Sequence, residues 1–195
     1  NPSTPPDLLR QLAKNRDMDP DGYMEVLSSV AENPSTPVDV LRQLATDPDL
    51  ATDPNGTVLS SVAANPSTPP DVLWQLATGP NYMVQLCMAQ DGSTPVDVLR
   101  HLATDPEPSV RGEAAANPSL PTDLLLQLAA DPEGWVRQGA ALNPSLPTDV
   151  LLQFATDPDS RLRNGAAGNP SAPTHVLRKL ATDPDLLVVD SAAWN

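Results

Sequence analysis

Several things are scarce in this sequence, and each scarcity excludes something. There is one cysteine, Cys87, in 195 residues. An intrachain disulfide and a thiolate metal cluster are therefore both ruled out, which suits a reducing compartment, and a cytoplasmic location is the expectation. Only two histidines are present, His101 and His175. They lie far apart in the chain, and no Cys/His pair, zinc spacing, P-loop or glycine-rich nucleotide turn accompanies them. Aromatic residues make up 3% of the chain. Basic side chains number 11 against 25 acidic ones, a net charge of −14. That sign repels phosphate backbones and anionic bilayers, so nucleic acid and membrane surfaces are poor partners, and a neutral or basic protein or peptide is the expected one. No apolar run approaches the roughly 18 residues needed to span a bilayer.

What is abundant is proline, with 24 residues, and the prolines fall at fixed intervals. Seven segments begin at Asn1, Asn33, Asn65, Asp91, Asn117, Asn143 and Asn169, with spacings of 32, 32, 26, 26, 26 and 26. They divide the chain into repeats 1–32, 33–64, 65–90, 91–116, 117–142, 143–168 and 169–195. Such periods signal stacked supersecondary units in a single array. Six of the seven repeats open Asn-Pro-Ser, and repeat four opens Asp91-Gly92-Ser93.

Within a repeat, Thr36, Pro37 and Asp39 read as cap, first turn and first-turn carboxylate of a helix that carries Val40, Leu41, Leu44 and Ala45 on one face. Thr46-Asp47-Pro48 ends that helix. A second segment follows, near Val110 to Ala116 in repeat four, and it contains Gly112; Gly139 and Gly165 occur in the next two repeats. Glycine weakens an α-helix, so a short or 3₁₀-like second helix is expected. No segment alternates as a strand would. The expected fold class is all-α: seven two-helix repeats that bury their apolar faces only by stacking on one another. Asn195 reads as the first residue of an eighth repeat, which points to a piece of a longer protein.

The motif Asn33-Pro-Ser-Thr-Pro-Val-Asp-Val-Leu-Arg-Gln-Leu-Ala-Thr-Asp-Pro48 resembles the leucine-rich repeat variant family, and the likeness extends along the whole chain. This resemblance implies a right-handed α-solenoid of alternating α and 3₁₀ helices that serves as an interaction module. Asp105–Val110–Arg111 and its echoes also look HEAT-like, although HEAT repeats are longer. Some members of the variant family carry an iron–sulfur domain, for which a lone Cys87 supplies no ligand set.

The repeats can be compared with one another. On a helical wheel Val110, Arg111, Ala114 and Ala115 share one half, and their counterparts hardly change between repeats four, five and six. The other half varies. One column reads Met83, Ser109, Trp135, Arg161, Leu187, and a second reads Leu86, Gly112, Gln138, Asn164, Asp190. A constant half with a variable half fits a scaffold that displays a tailored contact face, or drift on an unselected surface. Exposed large apolar groups in these columns favour contact. The candidate partner-binding residues are Met83, Leu86, Ser109, Trp135, Gln138, Arg161, Asn164 and Leu187.

Arg111, Arg137 and Arg163 recur 26 residues apart on the constant half. They are read as a structural ladder pairing with Asp105, Asp131 and Asp157 in the same or adjacent repeats, in preference to a basic stripe. The first two repeats each carry six extra residues. In repeat two the extra stretch reads as a duplicated loop. In repeat one, Asp17, Asp19, Asp21 and Glu25 follow the opening of a calcium loop, but Ser28 stands where the closing bidentate glutamate belongs. Calcium is thus an open possibility beside a plain acidic loop. Otherwise no cofactor and no catalytic residue is expected: the serines and aspartates recur in repeat after repeat as caps and turns, and a nucleophile would not be copied seven times. The functional expectation is a non-catalytic protein- or peptide-binding scaffold. The alternatives are a spacer between flanking domains or, against the charge, a HEAT-like nucleic-acid module using Arg111, Arg137, Arg161 and Arg163.

Overall fold

The computed structural model describes residues 3–15 and 20–195. Asp17 and Asp19, and the side chain of Asp21, lie outside the described residues. Every regular element among the described residues is helical. The chain forms two compact units, Asn1–Thr94 and Pro95–Asn195. The first holds α1 (Pro6–Leu12), α2 (Pro20–Glu32), α3 (Val38–Ala45), α4 (Pro48–Ala51), α5 (Thr57–Ala64), α6 (Pro70–Ala77) and α7 (Tyr82–Gln90). The second holds α8 (Val96–Leu102), α9 (Pro108–Ala116), α10 (Thr122–Leu128), α11 (Gly134–Leu142), α12 (Thr148–Phe154), α13 (Ser160–Gly168), α14 (Thr174–Leu180) and α15 (Leu186–Trp194).

Each unit is a stack of helical repeats, an α-solenoid built in two layers. First helices pack against the second helices of their own repeat, and successive second helices pack side by side, α9 on α11, α11 on α13 and α13 on α15. The core lies between the layers. In repeat four it takes Val98, Leu99 and Leu102 from α8 and Val110, Ala114 and Ala115 from α9, all buried. The constant half of the wheel is the half that faces this core.

The first helices start one residue later than the sequence suggests. Pro37, Pro95, Pro121 and Pro147 are the N-cap residues, with extended backbone and no side-chain cap. Thr36 does not cap α3. It is buried, and its hydroxyl donates to the carbonyl of Val30 at the end of the preceding second helix. Thr68 and Thr94 do the same to Val62 and Met88. Leu120 and Leu146 take this position in later repeats and are buried as apolar plugs.

Two expectations about helices need correction. The second helices are short but not 3₁₀-like: α9, α11, α13 and α15 are α-helices of 9 residues, against 7 in the first helices of the same repeats. Glycine loosens a helix in isolation, whereas here it serves packing. A Cβ at Gly139 would stand 2.2 Å from the carbonyl oxygen of Gly112, and one at Gly165 would stand 2.5 Å from the Cβ of Ala141. The second correction concerns the insert of repeat two, which is not a plain loop and gives that repeat three helices. Its α4 begins at Pro48, Asp47 accepts from the Asp49 amide to cap it, and buried Leu50 anchors it.

The recurrent asparagine proves to be the main inter-repeat fastener. At Asn65, Asn143 and Asn169 the side-chain oxygen holds its own turn by accepting from the serine amide two residues on. The side-chain NH₂ reaches back to the previous repeat. Asn143 donates to the carbonyls of Ala115 at 2.8 Å and Asn117 at 2.7 Å. Asn169 repeats this on Ala141 and Asn143, Asn195 on Ala167 and Asn169, and Asn65 on Ala31 and Asn33. The alanine carbonyls sit where helices end and intrahelical donors run out, so the asparagines satisfy groups that burial would otherwise orphan. The asparagine carbonyls already accept the amide three residues on and gain a second bond.

Candidate functional site

The variable half of the second helices faces solvent in both units. In the first unit, Met83 and Leu86 lie half-buried on α7. In the second unit, Ser109, Trp135 and Gln138 come together on the walls of one groove of about 600 Å³ between α9 and α11. Pro108, Ala116 and Leu142 supply further apolar wall, and Glu107, Glu113 and Glu133 supply carboxylates.

Trp135 is 65% exposed, yet it is held in place. The Arg161 guanidinium from α13 lies 5.6 Å from the centre of its ring, close enough for a cation–π contact. Arg161 is itself forked onto Asp159, Nε at 3.0 Å and an Nη at 2.8 Å. Those hydrogen bonds are the first reason the Asp159 carboxyl lies below its ordinary range. Gly134 makes room for this arrangement, because a Cβ there would meet the guanidinium at 2.8 Å. Further along, Asn164 accepts from the Ser191 hydroxyl, and Leu187 stands 69% exposed on α15.

The candidate partner-binding residues do not include Glu107, Glu113, Glu133 or Leu142, although Glu113 lies on the variable half of the wheel. The signal was available in one column, which reads Glu107, Glu133, Asp159, Asp185. All four are N-cap residues of second helices. The two aspartates bend back to accept from their own helix, Asp159 from the Arg161 amide and Asp185 from the Leu187 amide. The two glutamates are one methylene longer, make no cap bond, and line the groove instead.

The arginines of the constant half are engaged with protein acceptors. Arg111 donates to the main-chain carbonyls of Asp105 and Pro106 and forks onto the Asp131 carboxylate of the next repeat at 2.9 and 3.2 Å. Arg163 does the same with Asp157, Pro158 and the Asp183 carboxylate. Arg137 holds the Asp131 and Pro132 carbonyls and approaches Asp159 at 3.9 Å. Asp105 and Asp157 thus contribute their carbonyls to these arginines, while their carboxylates accept amides of their own turns. The aspartate whose carboxylate receives the fork is one repeat on.

The pair Arg163–Asp183 gives a pH signature. The forked hydrogen bonds from Arg163 hold the Asp183 carboxyl below its ordinary value. A carboxyl depressed on folding contributes stability that is complete above its unfolded value of about 3.9 and is lost as pH falls through the folded value. Melting temperatures of the native chain and Asp183→Asn should therefore differ most near neutral pH and converge below about pH 4. A gap that stays constant across that range would count against the pair.

Glu25 is exposed on α2. Among the described residues no group of three or more His, Cys, Asp or Glu is disposed to hold a metal ion. His101 lies on α8 and His175 on α14. No helix among the described residues is long and apolar enough to cross a membrane.

Comparison with known proteins bears on this geometry. The family profile described as leucine rich repeat variant matches residues 25–49, 108–133 and 134–159. These three windows match the leucine-rich variant repeat. Each of the latter two matched windows opens on a second helix and runs through the first helix that follows. A solved structure described as a leucine-rich repeat variant with a novel repetitive protein structural motif superposes with a TM-score of 0.60 and 29% identity, over 97% of this chain and 71% of that one. A crystal structure of an engineered protein aligns with a TM-score of 0.37 and 22% identity, over 95% and 93% of the two chains. No curated protein sequence matches. The variant repeats account for the two-layer stack and leave the outward columns to be read from their own chemistry.

Proposed function

We propose that this chain is a non-catalytic protein- or peptide-binding scaffold whose contact surface is the outward half of its second helices, centred on Trp135 and Arg161. One observation carries the reading: an exposed indole, braced by Arg161 and Asp159, forms the wall of an apolar groove. A large rigid aromatic beside a concavity is what binding hot spots use, since little entropy is lost when it is covered. The charge of −14 favours a neutral or basic protein partner over nucleic acid. The commitment of Arg111 and Arg163 to carbonyls and carboxylates points the same way.

Substituting Trp135→Ala and Arg161→Ala together should abolish capture of a partner from lysate by the immobilised chain, with the helical circular dichroism unchanged. Both side chains are exposed, so truncation should cost little stability. Capture that survives the double substitution would remove this face as the contact surface.

A further inference from the structure

The groove between α9 and α11 has a chemistry narrower than its family. We propose that it receives a single lysine or arginine side chain, presented between apolar residues on a segment of a partner protein. This rests on the preceding reading that the outward half of the second helices is a contact surface.

Three observations converge. The walls are mostly apolar, with Trp135, Leu142, Pro108 and Ala116 available to an alkyl stem. Glu107, Glu113 and Glu133 also line the groove, and among the described residues none of them is in an ion pair. Glu107 and Glu133 head second helices without capping them, so their carboxylates remain available for an incoming donor. Glu107 accepts one weak bond from the Ser109 hydroxyl at 3.2 Å, which leaves most of its acceptor capacity open. The third observation is Gln138, which lines the same groove: its side-chain oxygen is buried and has no hydrogen-bond partner among the described residues. A buried acceptor of this kind calls for a donor.

An apolar wall with spread carboxylates and an unfilled acceptor suits a side chain that is greasy along its length and cationic at its tip. A compact metal ion needs convergent ligands, and these carboxylates do not converge on one point. An acidic segment would bring like charges together. A purely apolar segment would cover the carboxylates without pairing them, at a desolvation cost.

The test uses the full chain with Trp74→Phe and Trp194→Phe, so that Trp135 is the sole remaining indole of the three tryptophans. The probes are three acetylated, amidated pentapeptides that differ only at the centre: glycine-leucine-lysine-leucine-glycine, its norleucine counterpart and its glutamate counterpart. The lysine peptide should shift Trp135 emission saturably and bind roughly tenfold tighter than the norleucine peptide at low salt, and the glutamate peptide should not bind. Glu107→Gln with Glu133→Gln should bring the lysine peptide down to the norleucine affinity, with the fold intact by circular dichroism. If the norleucine peptide binds Trp135 as tightly as the lysine peptide, the contact face stands and the cationic socket falls. If no peptide shifts Trp135, the socket falls also, and the lysate capture by the Trp135/Arg161 variant decides separately whether the face survives.

Discussion

Gly139→Ala is expected to destabilise the second unit by about 3 kcal/mol or more, a large loss for one methyl group. The reason is local and steric. The new Cβ would lie 2.2 Å from the Gly112 carbonyl oxygen and 3.0 Å from its carbon. Both are backbone atoms on the facing helix, so no side chain can swing aside, and α11 would have to move away from α9 by most of an ångström. That movement loosens the packing of buried Ala114, Ala115, Ala140 and Ala141 on both helices. Gly112→Ala is the control. A Cβ there meets nothing nearer than 3.6 Å, and alanine gains up to about 1 kcal/mol of helix propensity over glycine. Urea unfolding of the two variants should thus give shifts of opposite sign. Equal small shifts would mean that the α9–α11 contact tolerates separation.

Asn169→Ala is expected to cost about 3–5 kcal/mol, from the loss of three hydrogen bonds, two of them buried. Asn169 is fully buried, donates to the Ala141 and Asn143 carbonyls at 2.7 and 2.8 Å, and accepts from the Ser171 amide at 2.7 Å. Alanine leaves the Ala141 carbonyl without a donor in the buried seam between repeats, strips the Asn143 carbonyl down to its bond from the Leu146 amide, and frees the Ser171 amide. Asn169→Asp should be at least as damaging, because a carboxylate has no N–H to give and would face two carbonyl oxygens. Repeat four carries that residue naturally: Asp91 stands in the asparagine column and accepts from the Ser93 amide and hydroxyl. Asp91→Asn should therefore raise stability, by about 1 kcal/mol. The two variants and the native chain, compared by thermal melting, should fall in the order Asp91→Asn, native, Asn169→Ala. An Asn169→Ala protein that melts with the native chain would show that the ladder is ornamental.

The contrast between Asn169 and Leu151 explains what could be read from the sequence and what could not. Helix existence, the repeat boundaries and the buried leucines follow from spacing, because burial imposes a 3.6-residue period and stacking imposes a 26-residue one. The outward columns were legible for the same reason: what is not packed is free to vary, and Trp135, Arg161 and Leu187 are indeed exposed. Asparagine carries no such periodic mark. At a turn it signals only local backbone bonding, and its second set of bonds, to atoms 26 and 28 residues earlier, depends on how repeats are juxtaposed. Gly139 misled for a related reason. Propensity describes an isolated helix, while the value of a missing Cβ is set by a neighbouring helix. The glutamates of the groove were hidden by similarity, since Glu107 and Asp159 share a column and a charge and differ only in whether the carboxylate can turn back to its own helix.

The asparagine bonds also have a direction. The NH₂ groups of Asn65, Asn143, Asn169 and Asn195 point toward lower residue numbers, onto carbonyls that precede them in the chain. During synthesis those acceptors emerge first and are already in place when the asparagine that needs them appears. Each new module can lock onto a finished edge without waiting for anything downstream. The protein is thereby suited to being folded as it is made, from the amino end onward, one module at a time.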